Sequence, residues 1–303
     1  MVLILGSLQL GLLYGLLAMG IYISFRILNV PDLTAEGSFT LGLAVSASLT
    51  VAGHPVLGLA AAVLAGALAG CVTGLLQTKC KIHPVLAGIL TMSGLYSVNL
   101  CIMGSSSNLS LISNATIFKL MYGWLPGVDK DICKLLIAAL AAAIVAAVLI
   151  LFFRTHIGLC IRATGDNEDM VRASSIDVHS VKILALAVSN SAIALCGALI
   201  AQYQGFADIN SGVGILVVGL ASVIIGKLFV RSDKVGRGLV ISIVGSVIYR
   251  YIIALATSSS LFPAYALKLV SAVIVGVALS APAWKEQMEI RRIRRGGKAH
   301  AEN

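Results

Sequence analysis

The sequence predicts an all-α, polytopic transmembrane helical bundle, and three observations carry that prediction. Hydrophobic residues make up 58% of the 303 and charged residues only 12%, whereas a soluble domain carries roughly a quarter charged residues. The mean hydropathy is +0.98. Apolar runs of spanning length, about 20 residues for a ~30 Å hydrocarbon core, recur from one end of the chain to the other. No water satisfies backbone groups in that core, and the alternating pattern of a membrane barrel is absent, so the runs are expected as helices.

The elements follow in order. Leu3 to Phe25 reads as an uncleaved first helix, since no Lys or Arg precedes it and no small-residue cleavage pattern follows it. Residues 26–37 then interrupt the apolar pattern with Pro, Gly and charge. Further helices are expected over about 38–52, 55–77, 84–103, 133–153, 181–203, 213–230, 238–256 and 264–283. The total is nine spans, or between eight and ten, because segment 26–52 reads either as a full span or as a broken, re-entrant element. One membrane domain covers 1–284 and a basic tail covers 285–303. In the third helix Gly58, Ala62, Gly66, Gly70 and Gly74 recur at four-residue spacing, a stripe that lets two helix backbones approach closely.

The formal net charge of +9 is distributed in a way that excludes nucleic-acid binding as its purpose. Six of the 22 Lys and Arg crowd into the tail (Lys285, Arg291, Arg292, Arg294, Arg295, Lys298), and eight of the other 16 sit in the gaps 78–83, 154–180 and 231–237. Positively charged loops stay inside. This rule places those gaps and the C-terminus in the cytoplasm and the N-terminus outside; the expected location is the plasma (inner) membrane, crossed several times. The six cysteines form no metal-type pair and are expected as small apolar residues, with Cys101 and Cys133, which flank an outside loop, left unbridged. The five histidines lie at loops, span boundaries or the tail with no His-Glu pair. No catalytic residue and no metal site is therefore expected, and an intramembrane enzyme is disfavoured.

Two interruptions carry carboxylates beside apolar spans. The first holds Asn29, Asp32, Glu36 and Gly37; the second holds Asp208, Asn210 and Gly212. Each runs from an Asp through a branched apolar residue and small polar residues to a Gly. Broken helices of an inverted repeat lining a pathway near the midplane would produce that pattern, and Asn29, Asp32, Glu36, Asp208 and Asn210 are its candidate pathway residues. Asp32 and Glu36 equally read as caps and first-turn charges of the second helix. Arg250, between Tyr249 and Tyr251, is expected to snorkel to the interface with its tyrosines as belt residues, as is Lys268; the alternative is a pairing with an acid or a substrate carboxylate.

The hydrophilic segment 154–180 is the most informative. Gly165 ends one stretch, and Asp166 is expected to cap a short helix whose first turn, with Glu168 and Asp169, is acidic. Met170, Ala173 and Asp177 would share one face, with Val171 and Ser174 beside it. A short, partly apolar helix in a cytoplasmic loop suits docking into a groove of another protein, where a solvated connector would need no such face.

This segment resembles the coupling helix of ABC permeases in the branched-chain amino acid and ribose importer family. The resemblance rests on Arg162, Ala163, Gly165, Asn167, Ala173 and Ile176. Where the family pattern has Gly before Ile, this chain has Ser175, and acidic residues displace the Ala that follows Asn. The broken stretch Asn29 to Gly37, opening a Gly-containing helix, is similar to the family's front end, and the likeness spans about residues 5 to 282. It implies a permease of the amino-acid-type branch, working by alternating access. Its partners would be a second copy, a cytoplasmic ABC ATPase, an extracytoplasmic solute-binding protein and the bilayer. The residues implied in ATPase coupling are Arg162, Gly165, Asp166, Asn167, Asp169, Met170, Ala173 and Ile176. The chain has no Gly-x-x-x-x-Gly-Lys-Ser/Thr phosphate loop, so ATP and Mg would be bound by the partner, with no cofactor here. The rival expectation is an ion-coupled secondary transporter using Asp32, Glu36 or Asp208.

Overall fold

A computed structural model describes residues 2–124, 129–229 and 234–258, together with single helical positions at 269, 272, 273, 276 and 280. The chain divides into two units, Met1–Tyr251 and Ile252–Asn303. In the second, Thr257 Oγ1 donates to Ile253 O (2.9 Å) and Ser258 Oγ to Leu255 O (3.0 Å), both within helical turns. Apart from those single positions, the expected helix 264–283, Lys268 and the tail 285–303 lie outside the described residues, as do 231–233.

The first unit is a bundle of helices with one short pair of strands. Helix α1 (Val2–Ile21) continues as a π-helical turn, Tyr22–Ile27; α2 (Thr34–Val51), α3 (Pro55–Thr78) and α4 (Pro84–Ile102) follow. Strand β1 (Asn108–Ser110) and α5 (Ile117–Trp124) precede α6 (Lys130–Phe152), α7 (His156–Asp166), α8 (Glu168–Ala173) and α9 (Val178–Gln204). Strand β2 (Phe206–Asp208) and a 3-10 turn (Ile209–Gly212) lead to α10 (Ile215–Phe229) and α11 (Val235–Ser258). Among the described residues, seven segments are long and apolar enough to cross a membrane: Leu3–Ile27, α3, α4, α6, α9, Ile209–Leu228 and α11. Their outer faces are apolar. On α6, Leu136, Leu140, Ile144, Val148 and Leu151 are all exposed, as lipid-facing positions of a span must be.

Helix α2, counted as a span on sequence, is not among these seven. It begins at Thr34 rather than Ser38, because the Asp32 carboxylate accepts the Thr34 N–H and starts the helix early. Most of its residues are buried against α3, α4 and α9. Three of its hydroxyls pair inside the fold, Thr40 donating to Glu36 O, Thr50 to Ser46 O, and Ser46 to Ala198 O of α9, while the buried Ser38 Oγ has no partner among the described residues. A helix too polar for lipid is thus wrapped by helices that are not, which matches the broken-element reading of 26–52.

The small-residue stripe of α3 is a packing seam. A Cβ on Gly66 would lie 2.5 Å from Asn190 O, on Gly70 2.3 Å from Leu186 O, and on Gly74 2.7 Å from the Ile183 Cα, so α3 lies with its backbone against α9. The same closeness joins α2 to α9, where a Cβ on Gly42 would meet Ala194 O at 1.9 Å. No hydrophobic drive holds helices together in lipid, so these close backbone contacts do.

Several sequence expectations change. The stretch 104–132 holds β1 and α5, and β1 pairs antiparallel with β2, Asn108 opposite Asp208. The segment 154–180 is a helical hairpin. Asn167, not Asp166, caps α8, its Oδ1 accepting the Met170 N–H at 3.0 Å, while Asp166 is the last residue of α7. Helix α8 ends at Ala173, so Asp177 does not share its face; Asp177 caps α9 by accepting the His179 N–H. Arg250 does not snorkel between its own tyrosines: its guanidinium carbon sits 3.6 Å above the ring of buried Tyr14 on α1, a cation–π contact that holds the charge inside the fold.

Candidate functional site

The break before α2 is where chemistry concentrates. Asp32 is fully buried; its Oδ2 accepts from Asn190 Nδ2 at 2.7 Å, and that amide also donates to Leu186 O. Thr34 Oγ1 shares a 2.7 Å hydrogen bond with Thr73 Oγ1, which donates to Thr91 Oγ1 at 3.0 Å. One polar cluster therefore ties the start of α2 to α3, α4 and α9. Asp32, one residue before the N-cap Leu33, acts in it as the acceptor for the first N–H of α2 and as an interhelical tie.

Glu36, one turn further on, turns elsewhere. Its Oε1 accepts the Gly214 N–H at 3.0 Å, at the mouth of α10, so the two sequence interruptions meet through this carboxylate. Gly214 has φ +82, a left-handed conformation open to glycine that lets the chain turn its N–H toward Glu36. Beside this contact lies a cavity of about 360 Å³, lined among others by Glu36, Thr40, Ser93, Tyr96 and Asn99 and by Ile209, Gly212 and Val213. Asp208 and Asn210 do not line it. The Asp208 carboxylate accepts the Asn210 N–H at 2.7 Å and caps the 3-10 turn. Sequence reasoning missed Tyr96 and Asn99. The available signal was that Asn99 is the one carboxamide in the apolar run 84–102.

Asn29 lies with the hairpin instead of the cavity. Its Nδ2 donates to Gly165 O at 3.2 Å, and its φ of 55 is a left-handed conformation that Asn tolerates. Gly165 packs directly on the break, since a Cβ there would fall 1.8 Å from Ile27 O. Arg162 and Asp166 join Arg26 and Asn29 around a polar cavity of about 310 Å³. Helix α8 is anchored by buried Val171 and by Glu168, which takes Arg172 Nη2 at 3.0 Å and Lys182 Nζ of α9 at 2.5 Å. Asp169, Met170 and Ala173 face outward, Met170 with 59% of its surface exposed, and Ile176 is half-buried. Ser175, standing where the family pattern has Gly, adopts φ 61, which explains a glycine preference at that position.

The hydrogen bond from Lys182 holds the Glu168 carboxyl below its ordinary range, with Arg172 adding to the effect and partial burial opposing it. A depressed folded pKa means that the tie is fully present above the unfolded value of about 4.3 and is lost as pH falls through the lowered one. Protection of the α8 amides, taken relative to their intrinsic exchange rate at each pH, is expected to be flat from neutral pH to about 5 and to fall below about 4. A profile unchanged by Glu168→Gln would show that the tie contributes nothing. The effect is modest, because Glu168 is more than a third exposed and solvent screens it.

The family described as "branched-chain amino acid transport system / permease component" matches residues 3–280. A tyrosine transport system permease protein of Clostridioides difficile is 39% identical over 265 residues, 87% of this chain and 86% of its own. An uncharacterized protein of Rickettsia prowazekii is 36% identical over 213 residues (70% and 72%), and the ribose import permease protein of Escherichia coli K12 is 26% identical over 223 (73% and 67%). No solved structure matches the chain.

Proposed function

The chain belongs to the branched-chain amino acid transport system permease family, and on that premise we propose that it forms the path of an ABC importer for an amino acid, with α8 as the contact for a separate cytoplasmic ATPase. It is a multi-pass membrane permease subunit for a small solute. The 39%-identical tyrosine permease favours an amino acid with an aromatic side chain over a sugar. A second copy completes the path, a solute-binding protein delivers from outside, and the hairpin faces the cytoplasm of a cell whose inner membrane holds the complex.

The observation that supports the coupling role is a continuous mechanical connection. The outward face of α8 carries Asp169, Met170 and Ala173, while the hairpin behind it seats Gly165 on Ile27 and takes the Asn29 hydrogen bond. Those contacts fall on the break that opens α2, and α2 carries Glu36 to α10 and the cavity. A push on α8 reaches the cavity wall through packed backbone and the short, largely buried break 28–33. A bistable element moved in this way is what a switching transition requires.

The test is co-purification with candidate ATPase and binding-protein partners, followed by solute-stimulated ATP hydrolysis and uptake in liposomes. Asp169→Lys is expected to cut stimulated hydrolysis about tenfold or more, since like-charge juxtaposition at an interface costs several kcal/mol, with membrane insertion unchanged. Solute accumulation by the permease alone on an ion gradient would instead establish the secondary carrier.

A further inference from the structure

We propose that the cavity between α2 and α4 receives the ammonium group of the transported solute, with Glu36 supplying the opposite charge and the Asn99 side-chain oxygen a directed acceptor. The assignment rests on the importer reading above and adds the chemistry of the site.

Three observations carry it. Asn99 is 1% exposed, and its Nδ2 is committed to Gly37 O at 3.4 Å. Its Oδ1 is left buried with no hydrogen-bond partner. Exchanging oxygen and nitrogen gives no relief, because it would set two oxygens against each other. Buried acceptors are otherwise almost always satisfied, so an orphan beside a cavity marks the position of a missing donor. Next, the described lining holds one carboxylate and no Lys, Arg or His. Two backbone N–H groups, of Gly214 and Leu216, bond Glu36 but bring it no full positive charge. Finally, the face of α4 that opens the cavity is polar where a lipid-facing span is apolar: Ser93 and Ser97 are exposed one turn apart, beside Tyr96. An ammonium brings three donors and one positive charge, which answers both the orphan acceptor and the net charge. A neutral polyol would answer only the first. A volume of about 360 Å³ lies within the range of small-ligand sites.

The experiment reads charge at the cavity directly. In the full-length chain in nanodiscs, the accessible thiols Cys71, Cys80 and Cys101 are replaced by serine and Ser93→Cys is introduced. Labelling by cationic 2-aminoethyl and anionic 2-sulfonatoethyl methanethiosulfonate is then compared, with loop residue Ser106→Cys as reference. The cationic reagent is expected to be favoured about tenfold over the reference ratio, as one uncompensated charge in a poorly solvated site implies. Glu36→Gln removes that preference, and Asn99→Asp enlarges it, a gain that misfolding does not produce. L-tyrosine slows labelling, and N-acetyl-L-tyrosine, whose amine is blocked, does not. Equal rates for the two reagents, a preference that survives Glu36→Gln, or equal protection by the acetylated compound would overturn the assignment. Labelling needs no nucleotide, so a flat result beside intact ATP-driven uptake defeats this assignment alone, whereas ATP-independent uptake strikes the importer reading beneath it.

Discussion

Replacing Gly165 by alanine is expected to lower ATP-driven uptake at least tenfold while leaving the protein inserted in the membrane. The added methyl would lie 1.8 Å from Ile27 O and 3.1 Å from the Leu28 Cα. The obstacle is backbone, so no side chain can swing aside. Either the hairpin lifts from the break or the π-helical turn Tyr22–Ile27 is displaced, and overpacking of this kind costs about 1–3 kcal/mol. The Asn29 hydrogen bond to Gly165 O is lost with the fit. Hydrogen exchange should rise in α7, α8 and residues 22–33 together and stay unchanged in α3 and α6. Wild-type uptake by Gly165→Ala would remove the mechanical link from hairpin to cavity. Larger residues such as leucine should behave as alanine does or worse, whereas Asn29→Ala, which deletes one exposed hydrogen bond and adds no clash, should cost far less.

Asp32→Ala is expected to be the most destabilising single substitution at the break, by about 2–5 kcal/mol, from the lost acceptor at the start of α2 and the weakened pairing of a second buried donor. Thr34 N–H loses its acceptor and Asn190 Nδ2 keeps only Leu186 O, in a cluster where Asp32, Thr34, Thr73 and Asn190 are all fully buried. Asn190→Ala should be at least as severe, because it leaves a carboxylate at membrane depth without its side-chain partner. Thermal unfolding in detergent and the yield of folded protein would read both. A double-mutant cycle between the two positions should show strong coupling. Transport separates this role from solute contact: in whatever protein folds, the KM for the solute should be unchanged by Asp32→Asn and raised by Glu36→Gln. A raised KM with normal stability in Asp32→Asn would place Asp32 in the path.

The contrast between these carboxylates shows where sequence reading stops. Asp32 and Glu36 lie four residues apart at the same break, with the same composition around them. One helical turn sends Asp32 into α9 and Glu36 across to Gly214. Asn29 goes a third way, to the hairpin. Nothing local distinguishes them, because their partners lie more than a hundred residues away. The hairpin is more legible: Gly165, Asn167 and the acidic first turn are short-range helix signals, although the cap shifts by one residue and α8 ends before Asp177. Helix α2 reads on sequence either as a span or as a broken element, because its length resembles a span. Its Ser and Thr hydroxyls, and its glycines packed on α9, belong to a helix that faces protein on all sides.

What the sequence determined by itself was the state of the backbone. An apolar excess of this size requires lipid, lipid requires each peptide group to be paired within its own segment, and helices are the local solution. The small-residue stripe of α3 likewise announced a close contact, since glycine at every turn has no other use there. Tertiary structure alone decided which residue meets which: that α9 is the partner of that stripe, that Glu36 and Asn99 share a cavity, and that Gly165 rests on Ile27. Those pairings are set by how helices cross. Crossing depends on contacts between distant segments, and no window along the chain contains both sides of such a contact.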